Sequence, residues 1–132
     1  MFLSQNITEV LLLVLLIITF GYSAFEKISD FKGQVFWLTD YFKNTFMARF
    51  IKIALIKVLV LEVIATLLCI VGSFYLITEN MPQIALYGCI LCVLVLFSFV
   101  IGQRIVKDYD GARNTVIYLI PAFALVYLLS HL

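Results

Sequence analysis

Apolar residues dominate four stretches of the chain, at about 7–25, 53–77, 83–102 and 114–132, and the polar residues collect between them. Each stretch reaches the roughly 20 residues that a helix rising ~1.5 Å per residue needs to cross ~30 Å of hydrocarbon. Helices are the structure such segments must take, because an open sheet edge would leave backbone groups unpaired in lipid. The pattern predicts an all-α integral membrane four-helix bundle, with residues 1–132 forming a single transmembrane domain. Only residues 78–82 separate the second and third spans, which must therefore be antiparallel neighbours. The longer connection at 26–52 is itself patterned. Phe31, Val35, Leu38, Phe42 and Phe46 recur at three- and four-residue steps, Lys32, Asp40, Lys43 and Asn44 fall opposite, and Trp37 and Tyr41 have rings suited to an interface. This spacing predicts an amphipathic helix over about 31–46, lying in the headgroup region between the first and second spans.

Composition reinforces the membrane reading. Of 132 residues, 64% are hydrophobic and 13% charged, against roughly 45–50% and about 25% in soluble domains. A soluble chain of this size has no core large enough to hide that surface, whereas lipid solvates it. The net charge of +1 gives no reason to expect nucleic acid as a partner. The basic residues are one-sided. Lys27, Lys32, Lys43, Arg49 and Lys52 lie in the first connection, Lys57 just inside the second span, and Arg104, Lys107 and Arg113 in the third connection. By the positive-inside rule, connections 26–52 and 103–113 are cytoplasmic and both termini lie outside. The segment before the first span lacks Lys and Arg and no small-x-small cleavage site follows, so that span reads as retained rather than as a cleaved signal. Asn6-Ile7-Thr8 matches a glycosylation sequon in spelling alone.

Candidate chemistry is sparse. No Gly-rich phosphate loop, metal-ligand cluster or Ser/His/Asp arrangement is present, and the residues assign no catalytic reaction. An ionisable residue inside a span costs about 2.5–3.5 kcal/mol on insertion scales and is a functional candidate by default. Glu62 is that residue, roughly 13 Å into the second span. Thr66, Cys69 and Ser73 follow on the same face, with Ala65 and Gly72 beside them, so this face is expected to look into the bundle. The first span offers Thr19, Tyr22, Ser23 and Glu26, and the fourth offers Asn114, Tyr118 and a helix loosened by Pro121. Two readings follow: a polar cavity in which Glu62 anchors a ligand or a proton, or a structural network in which the Glu62 carboxyl bonds to Tyr22 or Tyr118. Cys89 and Cys92 form a CxxC that falls, with Cys69, at a similar depth. A thiol relay to a lipid-soluble quinone is one reading, and three small buried hydrophobes are the other. In the third connection, Arg104 and Asp108 are spaced for a pair on a continued helix that Gly111 would end, and the stretch has charges to offer Glu26 and Lys27 or anionic lipid, or reads simply as a solvated turn.

Two segments resemble a known family. Phe20-Gly21-Tyr22-Ser23-Ala24-Phe25-Glu26-Lys27-Ile28-Ser29-Asp30-Phe31 looks like the end of the first span in DoxX-like proteins, where an aromatic–small pattern precedes a Lys-hydrophobic-x-Asp step. Leu61-Glu62-Val63-Ile64-Ala65-Thr66-Leu67-Leu68-Cys69-Ile70-Val71-Gly72 is similar to that family's second span, except at Ala65 and Thr66, where the family often has a glycine step. The resemblance implies a four-helix protein of the bacterial cytoplasmic membrane, redox-associated, and in some relatives linked to quinones or to thiol maturation. It carries over Lys27, Asp30 and Glu62 as site candidates, and does not extend to the cysteines. The expected function is handling of a quinone or small lipophilic molecule around Glu62. The alternative is an accessory subunit of a larger membrane complex, with partner subunits against its apolar faces.

Overall fold

The computed structural model describes residues 4–132 and is helical nearly throughout. The elements are α1 (Ile7–Ser29), α2 (Phe31–Tyr41), a 3-10 helix (Phe46–Phe50) that runs directly into α3 (Ile51–Glu79), α4 (Gln83–Ile105) and α5 (Tyr109–Ser130). Four helical stretches are long and apolar enough to cross a membrane: Ile7–Ser29, Phe46–Glu79, Gln83–Ile105 and Tyr109–Ser130. The four-span expectation holds, with one non-spanning helix between the first two spans. α4 packs between α3 and α5, and α1 closes the ring against α3 and α5. Buried residues recur at helical steps, such as Leu13, Leu16, Phe20 and Ala24 on α1 and Leu119, Ala122, Leu125 and Leu129 on α5. Large apolar side chains on the opposite faces, Leu11, Ile18, Leu67 and Ile120 among them, are exposed on the bundle surface. Lipid is the medium that accommodates them.

Inside a bilayer, helices attract one another through close packing rather than water exclusion, so small residues decide where backbones meet. Gly72 of α3 lies directly on the backbone of Ala85 in α4, and a methyl group there would overlap its Cα and N. One turn further along α4, Gly88 faces Cys69, and a Cβ at that position would stand 3.0 Å from the Cys69 nitrogen. Both contacts lie toward the short α3–α4 turn. That turn is held from a third direction. Asn80 ends α3 in the left-handed conformation (φ 53°), which Asn tolerates better than most residues, and its Oδ1 accepts a 2.8 Å hydrogen bond from Asn6 Nδ2. Asn6 is buried by this contact, so the sequon spelled there is not presented for modification.

The structure corrects two expectations at the basic end. The amphipathic helix expected over 31–46 stops at Tyr41, because Thr45 turns the chain: its hydroxyl donates to the Phe42 carbonyl at 2.8 Å and accepts from the Met47 N–H at 3.2 Å, capping the 3-10 helix. The helix expected to continue from Arg104 through Asp108 ends at Ile105. Lys107 takes a positive φ of 63°, and Asp108 instead begins α5, accepting the Gly111 N–H at 3.0 Å. Gly111 therefore sits in the first turn of a helix, and does not end one.

If the α3–α4 approach depends on Gly72, then Gly72→Val will force the helices apart and destabilise the bundle by roughly 1–3 kcal/mol. Reversible unfolding in mixed detergent micelles measures this, and Gly21→Ala, where an added methyl meets only ordinary contact at 3.5 Å, is the control expected to be nearly neutral.

Candidate functional site

A single carboxylate buried in an apolar bundle would be strongly destabilising, so its partner is the first thing to find. Glu62 is wholly buried on α3, and the partner is Lys27 from the last turn of α1, whose Nζ lies 3.0 Å from Glu62 Oε1. The Lys27 side chain is 12% exposed. Its ammonium donates to Ser23 Oγ one turn back on α1 at 2.7 Å and lies 5.8 Å from the centre of the Phe99 ring on α4. The Glu62 contact is an ion pair rather than an aligned hydrogen bond. Neither carboxylate oxygen has a hydrogen-bond partner among the described residues. Thr66 turns back to the Glu62 backbone carbonyl at 2.8 Å and leaves the carboxylate alone.

On the other side of Lys27 a cavity of about 380 Å³ opens between the basic ends of α3 and α4. Close approach at Gly72 and Gly88 draws these helices together near their connecting turn, and the space lies at the opposite ends. Leu55 and Val58 of α3 and Phe99 of α4 form its walls, and Gln34, Trp37, Leu38 and Tyr41 of α2 form its roof. The lining is mainly apolar and aromatic with a few polar groups, and the volume falls in the range of roughly 300–1,000 Å³ typical of small-molecule sites. Lys27 belongs to the lining, whereas Glu62 stands behind it.

The roof is lightly held. No residue of α2 is buried, the Phe42 ring rests against Gly102, where a Cβ would come within 3.2 Å, and the Tyr41 hydroxyl donates to Asp108 Oδ2 at 2.5 Å. Asp108 is held below the usual carboxylate range by the Tyr41 hydroxyl first and the Gly111 N–H second. The Tyr41 phenol is pushed well above its ordinary value by burial first, and then by the hydrogen bond and the charge of Asp108. Each partner thus favours the protonation state that keeps the latch closed at neutral pH.

Of the residues singled out in the sequence, the structure joins Lys27 to Glu62 and places the others elsewhere. Tyr22 and Tyr118 do not reach Glu62: they are 65% and 51% exposed, on the lipid-facing surface. A network of Glu62 with tyrosine is thereby replaced by the ion pair. Glu26 is exposed, and Asp30 caps α2 by accepting the Gly33 N–H at 3.3 Å. Cys69, Cys89 and Cys92 are free, fully buried thiols in the α3–α4–α5 interior. Cys89 donates to the Ala122 carbonyl at 3.3 Å. The charged stretch turns to itself and to α2 rather than to Glu26 and Lys27: Arg113 pairs with Asp110 at 3.1 Å, and Arg104 lies over the Tyr109 ring. Sequence reasoning missed the roof role of Gln34 and the Tyr41–Asp108 latch. Ser23 and Lys27, four residues apart on one helix face, were the signal available for the pair. Among the described residues no group of His, Cys, Asp or Glu is arranged to hold a metal ion.

No known family, curated protein or solved structure matches this chain. What is established is a small all-α membrane protein with four spans.

Removing one partner of a buried ion pair leaves an uncompensated charge. Lys27→Met is expected to cost roughly 3–5 kcal/mol, and Lys27→Met with Glu62→Leu distinctly less. A double-mutant cycle of unfolding in bicelles reads the coupling, and additive losses would dismiss it. For the latch, Tyr41→Phe should raise amide exchange across α2 and return the Asp108 carboxyl toward its ordinary titration range, as followed by carboxyl carbon NMR. The Asp108 contribution is present above the unfolded carboxyl value of about 3.9 and is lost as pH falls through its lower folded value. That of Tyr41 is complete below the ordinary phenol value of about 10 and is lost only as pH rises through its higher folded value. Unchanged exchange in α2 would show that the roof is held by something else.

Proposed function

We propose that this protein binds an uncharged, lipophilic small molecule through a hydrogen-bond-accepting group, in the cavity beneath α2. The observation that carries this reading is the position of Lys27, a nearly buried ammonium that lines an apolar cavity while being neutralised from behind by Glu62. Its charge is balanced by Glu62, and Asp108, a second carboxylate, also lines the space. The cavity therefore offers an anion no net attraction. Beyond the N–H it gives Ser23, the ammonium retains donor capacity for a carbonyl oxygen. Trp37, Tyr41, Phe42 and Phe99 supply flat apolar surfaces around it. A quinone ring meets each requirement: neutral, planar, carbonyl-bearing and soluble in the membrane.

The resemblance of 20–31 and 61–72 to DoxX-like proteins supports the same ligand class and a redox-associated role in the bacterial cytoplasmic membrane. On that reading the basic end faces the cytoplasm, both termini face outward, and the ligand sits at the cytoplasmic leaflet. Lys27 contacts the ligand, Glu62 pairs with Lys27 and holds it in place, and Gln34 and Tyr41 complete the polar rim.

Trp37 is the only tryptophan in the chain and lines the cavity, so its fluorescence reports occupancy directly. Titration of short-chain quinones into the protein in nanodiscs should quench Trp37 saturably. Lys27→Met with Glu62→Leu, which removes the pair together, should weaken binding by about 10- to 100-fold, the range for loss of a hydrogen bond to a charged group. Linear, non-saturating quenching that is unchanged in the double variant would reject the proposal. Purification in mild detergent with stable partner subunits and no lipophilic ligand would favour the accessory-subunit alternative instead.

A further inference from the structure

The lipid-facing side of α3 carries a second pattern that owes nothing to the cavity. Ile53, Ile56, Val60, Ile64, Leu67, Val71 and Phe74 follow one another at three- and four-residue steps and are all between 43% and 63% exposed. They form a continuous apolar stripe down the helix. At 100° per residue, Lys52 and Lys57 fall on its two flanks in the first two turns, about 7.5 Å apart along the axis at ~1.5 Å per residue. Arg49, in the 3-10 helix that leads into α3, stands above the head of the stripe. All three cations are exposed. None has a carboxylate within ion-pair distance among the described residues, where the ion pairs are Lys27–Glu62, Lys43–Asp40 and Arg113–Asp110. The Arg49 guanidinium lies over the Phe50 ring, 5.8 Å from its centre, which leaves its donor edge open.

Other spans do not repeat this arrangement. At the same end of the bundle, α1 commits Lys27 to Glu62, α4 stacks Arg104 on Tyr109, and α5 pairs Arg113 with Asp110. Only at the head of α3, counting Arg49 of the adjoining 3-10 helix, do three cations without a carboxylate partner among the described residues crown an exposed apolar track. The fit is to a molecule with a negatively charged head and a long apolar tail lying parallel to the helix.

We propose that the outer face of α3 is a binding site for an anionic phospholipid. Its phosphate is held among Arg49, Lys52 and Lys57, and one acyl chain lies along Ile53, Ile56, Val60 and Ile64. Each basic residue near an anionic headgroup adds attraction that is screened by salt. The long lysine stems cover apolar surface while the ammonium groups reach the headgroup level. The opposite face of the same turns, at Leu55 and Val58, walls the cavity. The lipid therefore occupies the outside of a helix whose inside forms the first site, with no residue shared between them.

The experiment is lipid retention on the full chain in nanodiscs made from phosphatidylcholine and phosphatidylglycerol, read by native mass spectrometry after release. Wild-type protein should retain phosphatidylglycerol over phosphatidylcholine by roughly fivefold or more, with the preference shrinking as salt rises. Arg49→Gln with Lys52→Gln and Lys57→Gln should bring the ratio to parity. Lys32→Gln with Lys107→Gln, which removes two other exposed cations at the same end, should leave it intact. Equal retention of the two lipids by wild type, or equal loss of preference in both variants, would overturn a localised site. Should the triple variant fail to fold, photocrosslinking of wild type with a diazirine-bearing phosphatidylglycerol decides. Labelling concentrated in 49–64 supports the site, and labelling spread over all four spans refutes it.

Discussion

One buried ion pair organises this bundle. Lys27 and Glu62 come from different helices, neither could be accommodated in an apolar interior alone, and together they fix how α1 and α3 are rotated and how far each extends past the other. Buried pairs are poor sources of net stability, because desolvation consumes most of the attraction between the charges. What they supply is selectivity among packings: an arrangement that separates the two charges in lipid is penalised by several kcal/mol. The cavity depends on the same pair, since without Glu62 the wall formed by Lys27 would carry an uncompensated charge.

The second constraint is the distribution of small residues. Gly72 and Gly88 bring α3 and α4 together near their turn, while bulkier residues such as Leu55, Val58 and Phe99 occupy the other ends. Close approach at one end and a cavity at the other leave a wedge of space between the two helices. Here the wedge is covered by a short helix that buries no residue of its own. It is held by the polar bond of Tyr41 to Asp108 and by the Phe42 ring against Gly102, so the roof shares few buried contacts with the core.

Much of this was legible in the sequence for plain physical reasons. Spans are written in long apolar runs because lipid tolerates nothing else, and Glu62 stood out because charge inside a span is rare. The two helix ends at the basic side were harder. Thr45 and Asp108 act through local side-chain-to-backbone bonds, which compete with a periodic pattern but leave no mark on it. Hence the extent of α2 and the start of α5 were misplaced while the four spans were not. The partner of Glu62 was missed for a related reason. Tyr22 and Tyr118 have the right chemistry, but their helix phase turns them to lipid. Lys27, at the end of its span, was a site candidate whose expected partners lay in the charged stretch at 103–113. Only the relative rotation of α1 and α3 decides between them, and that is a tertiary fact.

The contact between Asn6 and Asn80 has a mechanical consequence when set beside the ion pair. α1 is tied to α3 twice, near opposite ends: Asn6 to Asn80 and Lys27 to Glu62. The two anchor points are ~31 Å apart along α1 and ~27 Å apart along α3 at ~1.5 Å per residue, and the long lysine side chain spans the difference. A helix fastened at both ends cannot slide past its neighbour. When the surrounding bilayer thins or thickens, these two helices must then change tilt as one rigid body, and lipid around them, rather than their contact, takes up the mismatch.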